Sequence, residues 1–241
     1  MRPLHVAAAL AVLAAFAAGL AAAQVPTEPL PPAPAETAAP PTETDPPPPE
    51  VAPPPRPPAP PKASPPPIRW RESRALGLPY AGRLVRGVEL PADAQRFFTW
   101  DPIEHRSPNR SWRRWGTDGL VRTTLRIVRD YAAAHPKAPR VGIGDLSRPR
   151  GGYFGPKHAS HQNGLDVDVY YPRKDRLERP PKTASQVDRR LAQALVDRFV
   201  AAGAVKVFVG PNVGLRGPRG VVQVISNHDN HLHARFPRWR A

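Results

Sequence analysis

The sequence of 241 residues contains no cysteine. This absence excludes disulfides and any zinc site built from thiolates, which leaves imidazole and carboxylate as the available metal ligands. Both kinds of ligand gather in three short clusters: His158-Ala-Ser-His161, Asp166-Val-Asp168 and His228-Asp-Asn-His231-Leu-His233. Five of the eight histidines belong to these clusters, so a metal site is to be sought there first.

Long apolar runs are equally scarce. The only one, from Val6 to Ala22, follows Arg2 and ends in Ala21-Ala22-Ala23. A basic start, an apolar middle and a small-residue end predict a secretory signal peptide over residues 1–23. The alternative is an uncleaved membrane anchor, although the run is at the short limit for crossing a bilayer. The pattern therefore predicts a periplasmic or secreted protein with no membrane span after cleavage.

Residues 24–67 are dominated by proline, which occupies 21 of the 44 positions. Such a segment cannot bury a core and favours extended polyproline II, so it is predicted to be a disordered spacer. Residues 68–241 are long enough to form one domain with a real core.

Acidic residues are few in that domain. The chain has 35 Lys and Arg against 20 Asp and Glu, and only three of these cations and five of these acids precede residue 68, which leaves the domain a net charge of +17. This charge indicates an anionic partner. Nucleic acid is disfavoured, because an exported protein rarely meets it and no nucleic-acid motif is present. An anionic cell-wall polymer fits the compartment better.

Two helices are predicted from apolar spacing and capping residues. The first runs from Thr117 or Asp118 to about His135, with an apolar stripe at Val121, Leu125, Val128 and Ala132. The second starts at Thr183 in a capping box with Gln186 and ends at Gly203. Its core face is Val187, Leu191, Leu195 and Phe199.

Strands are predicted over residues 140–146, 165–171, 205–209, 221–225 and 232–236, the second of them half-buried because apolar and acidic residues alternate. The segment 69–109 either packs over the core or shapes one wall of a cleft. Helices and strands mixed over short connections predict an α+β domain with a mainly antiparallel central sheet and flanking helices.

The spacing of the clusters predicts how their side chains meet. Asp166 and Asp168 face one way on one predicted strand, as His231 and His233 do on another. Two adjacent antiparallel strands would present these groups side by side, and His161 would join them from the preceding turn. Three protein ligands plus water are typical of a catalytic zinc site, where the metal acidifies the water and polarises a carbonyl. One Zn²⁺ per chain is therefore predicted.

The same residues resemble a known family. His161-x6-Asp168 followed by His231-x-His233 is similar to the signature of lysostaphin-type peptidases, D-Ala-D-Ala carboxypeptidases and the hedgehog domain. The whole string from His158 to Asp168, with the His228 cluster and the loop Gly142-Ile-Gly-Asp145-Leu-Ser, resembles the penicillin-insensitive murein endopeptidases from roughly Leu84 to Phe236. The resemblance implies a hedgehog-like fold and a zinc peptidase that cleaves D-alanyl–diaminopimelyl cross-links in peptidoglycan.

The resemblance also implies roles for single residues. His161, Asp168 and His233 would be the zinc ligands, and His231 would handle protons or stabilise the transition state. His228 and His158 match further active-site histidines of the family, and the resemblance leaves open whether His158 serves at an additional metal position or elsewhere in the active site.

Three further residues have open assignments. Asp166 faces the same side as Asp168 and could replace it as a ligand, but the family spacing favours Asp168 and leaves Asp166 to orient a ligand histidine. Arg148 and Arg150 either hold a substrate carboxylate by forked hydrogen bonds or are solvated loop residues.

Three other functions are compatible with the sequence. A D-Ala-D-Ala carboxypeptidase would use the same site in a different cleft. A catalytically inactive peptidoglycan-binding protein would keep the zinc, although the presence of His231 argues for activity. A polyanion-binding protein with incidental histidines would hold no stoichiometric metal.

Overall fold

The computed structural model describes residues 67–156 and 158–239. The predicted signal peptide, and all of the predicted spacer except Pro67, lie outside the described residues and stay predictions. Within the described part of the chain, neither helix combines the length and the apolar character that a membrane crossing requires.

Eleven strands and two α-helices are present among the described residues. The strands are β1 Arg74–Leu78, β2 Ala81–Val85, β3 Val88–Glu89, β4 Asp93–Ala94, β5 Phe97–Thr99, β6 Trp115–Gly116, β7 Val141–Ile143, β8 Asp166–Tyr170, β9 Lys206–Val209, β10 Val222–Val224 and β11 His231–Arg235. The α-helices are α1 Asp118–Ala134 and α2 Arg189–Ala201, and 3-10 turns cover Ser111–Arg113 and Ala184–Gln186.

Seven of these strands form one mixed sheet in the order β10-β9-β11-β8-β7-β5-β4. Four neighbouring pairs are antiparallel, whereas β10–β9 and β5–β7 are parallel. The prediction of an α+β domain with a mainly antiparallel sheet is therefore confirmed. Its likeness to the hedgehog domain stays a prediction.

Helix α1 begins where the sequence predicts. The Thr117 hydroxyl accepts a hydrogen bond from the Leu120 amide at 3.1 Å and so caps the first turn. Val121 and Val128 are buried, but the centre of the buried face lies beside the predicted stripe, at Leu120, Thr124, Ile127 and Tyr131. Leu125 and Ala132 are only partly buried as a result.

The predicted start of α2 is wrong. The Thr183 side chain makes no capping hydrogen bond, and a 3-10 turn follows it. Val187 is extended, and α2 begins after Asp188, whose carboxylate accepts from the Leu191 amide at 3.1 Å. The Gln186 side chain accepts instead from the Lys182 amide and from Arg173, so no capping box forms. The predicted core face is right, because all four of its residues are buried.

Gly203 follows helix α2 with a φ of +90°, as its predicted cap role requires. Segment 69–109 contributes to the core, and its role as one wall of a cleft stays a prediction. Phe97 packs in the core, and the β1–β2 hairpin lies against the site loop, where the Gln162 amide donates to the Pro79 carbonyl.

The two faces of the sheet have different coverings. Val167, Val169, Leu232 and Ala234 are fully buried in the core that α1 and α2 complete. The alternate residues of β8 face the other way, yet all five residues of the strand are buried, so the expectation of a half-buried strand is wrong. The loop segment around His161 lies over that second face, where the His161 amide donates to Asp166 Oδ2 and the His161 ring faces Asp168.

Candidate metal centre

The site is built on the pairing of β8 with β11. The two strands are antiparallel, with His233 opposite Asp168 and Arg235 opposite Asp166. Because side chains alternate along a strand, these residues and His231 share the face that is turned away from the helices. Two sequence clusters far apart in the chain are thereby brought together.

Three buried side chains meet there at the spacing of a metal site. Potential ligand atoms of His161, Asp168 and His233 all lie within 4.8 Å of one another. Asp168 Oδ1 is 3.0 Å from His233 Nδ1 and 3.4 Å from His161 Nε2. The three residues could therefore hold one cation, with ring nitrogens on two sides and a carboxylate oxygen on the third.

The second nitrogen of each of these histidines already has a partner. His161 Nδ1 faces the Leu146 carbonyl, and His233 Nε2 lies 3.2 Å from Asp166 Oδ1. A histidine whose one nitrogen donates to a carbonyl or a carboxylate has its tautomer fixed and its other nitrogen free for a metal. His161 Nε2 and His233 Nδ1 are therefore the nitrogens available for coordination.

Asp166 fixes three groups around the site. Its Oδ2 accepts from the His161 amide at 2.9 Å, and its Oδ1 accepts from Arg235 Nε at 2.6 Å and faces His233. The amide contact holds His161 in a left-handed backbone conformation, with a φ of +67°. Burial raises the pKa of Asp166, but these partners outweigh burial and the pKa lies below its ordinary value.

Asp168 is the strongest indication of a cation. Its Oδ1 is buried and makes no hydrogen bond of ordinary geometry among the described residues, although His233 Nδ1 and His161 Nε2 lie within 3.4 Å of it. Burial raises the pKa of Asp168, yet the neighbouring histidines, His161 first, hold that pKa well below its ordinary value. A buried carboxylate oxygen left without a hydrogen bond is costly unless a cation meets it. The donor set therefore fits a divalent metal that prefers N and O ligands.

The pKa of His233 also indicates that the site favours a positive charge. Burial lowers its pKa, but the contacts with the Asp166 and Asp168 carboxylates outweigh burial and raise the pKa to about 9. The two carboxylates therefore favour a positive charge at this position.

Two further histidines flank the triad without joining it. His231 Nε2 is 3.9 Å from Asp168 Oδ1, and its Nδ1 is 2.6 Å from Asn230 Oδ1. The pKa of His231 is lowered to about 4, chiefly by burial. The His228 ring lies 4.6 Å from that of His231, and its Nδ1 faces the Ser226 carbonyl at 2.8 Å.

Residues 75–204, more than half of the chain, match the family described as penicillin-insensitive murein endopeptidase. The chain belongs to this family. Proteins of that name from Escherichia coli O157:H7 and from Escherichia coli K12 (strain DH10B) are each 45% identical to it over 58 residues, which are 24% of this chain and 20% of each relative. The aligned stretch is thus about a fifth of the length of these curated relatives.

The match to the murein endopeptidase family stops at Ala204, before the cluster that contains His228, His231 and His233. The geometry supplies what the match omits, because β11 pairs directly with β8 and brings His233 to Asp168. The match therefore includes His161 and Asp168, and the structure adds His233 to them.

His158 sits in a second cluster beside the triad. Its Nε2 is 3.0 Å from Asp145 Oδ2, and Asp145, His158 and Asp168 have potential ligand atoms within 4.8 Å of one another. The Asp145 carboxylate is also held by the buried Arg113 guanidinium and by Asn109 Nδ2 at 3.0 Å. Asp145 is therefore already neutralised by a cation of the protein.

Asp145, Arg113 and Phe154 also belong to the site, although none of them was predicted as a site residue. Asp145 is visible in the sequence only as a member of the loop motif, and no pattern distinguishes Arg113 from the other cations. The Phe154 ring lies 4.8 Å from that of His158 and 5.3 Å from that of His161, and the Arg113 guanidinium lies 4.9 Å from the Phe154 ring centre. Aromatic and cationic groups thus wall one side of the metal centre.

The two candidate substrate arginines differ in position. Arg148 is exposed, and its guanidinium lies 5.0 Å from the centre of the Trp112 ring, which in turn packs on Phe154 at 5.7 Å. Arg150 is exposed as well, but only its backbone carbonyl has a described contact, from the Leu84 amide. Of the two, only Arg148 is connected to the wall of the site.

Proposed function

We propose that this protein is a zinc-dependent endopeptidase that hydrolyses D-alanyl–diaminopimelyl cross-links in peptidoglycan. Membership of the murein endopeptidase family supports the reaction class, and the buried His161–Asp168–His233 arrangement supports the metal. The observation that carries the proposal is the buried Asp168 Oδ1, which lacks a hydrogen bond and faces the ring nitrogens of His161 and His233.

His161 Nε2, one Asp168 oxygen and His233 Nδ1 would be the zinc ligands, one ion per chain. Bound zinc would lower the pKa of a water and polarise the scissile carbonyl. Asp166 would keep His233 in the tautomer that leaves Nδ1 free, which is the orienting role expected of it.

His231 is assigned to the proton transfer. Its Nδ1 faces Asn230 Oδ1, which favours a proton on Nδ1 and leaves Nε2 to exchange a proton with the reacting groups. Nε2 lies 3.9 Å from Asp168 Oδ1, close to the ligands but farther away than His161 and His233. A peptide nitrogen leaves only after it has gained a proton, and a positioned histidine can supply one. His228, whose ring lies beside that of His231, is assigned to the same catalytic pair.

His158 is assigned to the active site and not to a second metal. Asp145, the residue nearest to it, already pairs with Arg113, and a second ion would have to share Asp168 with the first. His158 would instead present an imidazole fixed by Asp145 to the bound substrate.

Arg148 would hold a carboxylate of the peptide stem. Its guanidinium has no described acidic partner, and it lies on Trp112 next to the Phe154 wall. A planar guanidinium fits a carboxylate by two parallel hydrogen bonds. Arg150 lacks such a placement and is assigned to the solvated loop surface.

The proposal also covers the whole chain. Residues 1–23 would direct export to the periplasm, residues 24–67 would separate the domain from its point of attachment or release, and the basic domain of residues 68–241 would act on the cell wall. Mass analysis of the N-terminus of native protein tests export, since an intact Met1 would contradict cleavage.

Digestion of purified cross-linked muropeptides, read by mass, tests the activity. We expect two uncross-linked muropeptides as products, no inhibition by β-lactams, loss of activity with a chelator and its return with added zinc. Asp168→Asn should bind no zinc and release no product. Asp229→Asn, in the neighbouring loop, should bind zinc and release product as the unmodified protein does. Release of free D-alanine would favour a carboxypeptidase, and binding without any product would favour an inactive peptidoglycan-binding protein.

A further inference from the structure

A second concave surface lies where the end of α1 approaches the start of α2. It encloses about 360 Å³, and none of the residues of the metal centre lines it. Four exposed cations line it: Lys137, Lys174, Arg176 and Arg190. We call this surface the basic cavity.

The four cations of the basic cavity have no ion pair with any acidic residue in the described ranges. The one acidic residue of the lining, Asp188, is engaged as the N-cap of α2, where it accepts from the Leu191 amide. The cavity therefore has an excess of positive charge that the protein itself does not neutralise.

The loop that contributes two of these cations is rigidly built. The buried Arg173 guanidinium donates to Asp175 Oδ1 at 2.7 Å and to Gln186 Oε1 at 2.8 Å. The Lys174 amide donates to the Gln186 carbonyl at 2.9 Å, and the Arg176 amide donates to the Arg173 carbonyl at 3.1 Å. Arg173 thus holds the turn in place, so little backbone ordering would be required when an anion binds.

The pKa of His135, which also lines the basic cavity, is consistent with an excess of positive charge there. Burial lowers the pKa of His135 first, and the positive charges of Arg198 and Arg190 lower it further. The field in this part of the molecule therefore disfavours cations and favours anions.

We infer that the basic cavity binds a phosphate group of an anionic polymer. A terminal phosphate carries up to two negative charges and three acceptor oxygens, and each phosphate within the chain adds one further charge, which suits four cations better than a single carboxylate does. Two of the cations are arginines, whose forked donors match phosphate oxygens. A cavity of about 360 Å³ also admits a phosphate together with part of the unit to which it is attached. This inference is independent of the proposed function, because the two sites share no residue.

The test is binding of a fluorescein-labelled short polyphosphate to the full chain at about 0.15 M salt, where exposed long-range attraction is screened beyond about 8 Å. The doubly substituted Lys174→Gln/Arg176→Gln protein should bind at least about tenfold more weakly, since two charge-assisted contacts are lost. The Arg126→Gln/Arg219→Gln protein is the matched control, because it loses the same charge at exposed positions outside the cavity. It should differ from the unmodified protein by less than about twofold.

Three results would overturn the inference: no binding by the unmodified protein, equal losses in the two double variants, or equally tight and equally sensitive binding of polygalacturonate, a carboxylate polymer. Displacement of the label by inorganic phosphate alone at equal phosphate concentration would contradict the polymer as the source. Lys137→Gln/Arg190→Gln should reproduce the loss, and unchanged circular dichroism should accompany both cavity variants.

Discussion

Asp166 offers the most direct test of how the protein holds its proposed zinc ligands. One carboxylate meets three donors, since Oδ2 accepts from the His161 amide and Oδ1 faces both Arg235 Nε and His233 Nε2. In Asp166→Asn one oxygen becomes an NH₂ group. Whichever way that amide turns, its NH₂ points at another donor.

The magnitude follows from these contacts. A buried donor that loses its acceptor costs about 1–3 kcal/mol, so the unfolding free energy of the zinc-free Asp166→Asn protein should fall by that amount. Loss of a carboxylate behind a ligand histidine typically weakens metal binding about 10- to 100-fold. We expect the same loss of zinc affinity here, because either His161 or His233 loses the oxygen that orients it.

Competition with a chromophoric chelator measures the zinc affinity, and urea denaturation measures the stability. Asp229→Asn is the control, since Asp229 binds the Asn212 amide and side chain in a neighbouring loop and touches no proposed ligand. Saturating zinc should restore most of the turnover of Asp166→Asn, as expected of a residue that only positions others. Unchanged zinc affinity in Asp166→Asn would refute the reasoning, and turnover that stays lost at full zinc occupancy would show a direct part in the reaction.

The same geometry leads to three further predictions. His231→Ala should keep its zinc and lose about 100-fold or more in turnover on cross-linked muropeptides. Metal content and turnover are measured on the same preparation, and normal turnover would contradict the role of His231 in proton transfer. Arg148→Ala should raise KM for muropeptides about tenfold, as loss of one charge-assisted contact does, whereas Arg150→Ala should not; equal effects would remove the distinction between them. Burial raises the pKa of Asp101, but backbone amides and Arg110 outweigh burial, and the pKa lies below 3.8. Asp101→Asn should therefore be less stable by about 1–2 kcal/mol at neutral pH. Urea titrations should show this difference shrinking only as the pH falls below the ordinary carboxyl value, and a difference that stays constant as the pH falls would be the contrary result.

Short spacings in the sequence predict which side chains gather at the candidate site, whereas the choice of Asp168 over Asp166 and of His233 over His231 follows only from the family resemblance. Two residues separated by one position on a strand face the same way, and this applies to Asp166 with Asp168 and to His231 with His233. The supports of the site are different. Arg113 reaches Asp145 across 32 positions, and nothing in its neighbourhood marks it among 35 cations. Only the folded chain brings those two together.

The start of α2 shows where local patterns fail. Thr183 and Asp188 are both good N-cap residues, and the sequence around Thr183 has the complete capping-box pattern. Gln186 is instead recruited by Arg173 and the Lys182 amide, which leaves Thr183 without its box partner. A tertiary contact therefore decides between two caps that local propensity cannot separate.

The burial of β8 shows the same limit for strands. Alternation of acidic and apolar residues normally indicates one face in water, and that rule assumes that nothing covers the polar face. Here the His161 amide donates to Asp166 Oδ2 and the His161 ring lies 3.4 Å from Asp168 Oδ1, so the loop that carries His161 covers the polar face. Buried carboxylates in a strand are costly unless they are paired, so the covering loop itself makes a cation beside Asp168 favourable.

The apolar face of the sheet also determines the geometry of the metal centre. A slip of one residue in the pairing of β11 would turn His231 and His233 toward the helices and Leu232 and Ala234 toward the carboxylates. Leu232 and Ala234 are fully buried against the helix layer, and exposing them would cost about 2 kcal/mol or more in lost apolar burial. The slipped strand would also place the imidazoles of His231 and His233 in an apolar core without partners. Core packing thus holds the register that keeps His233 opposite Asp168, and stability and the ligand geometry depend on the same strand.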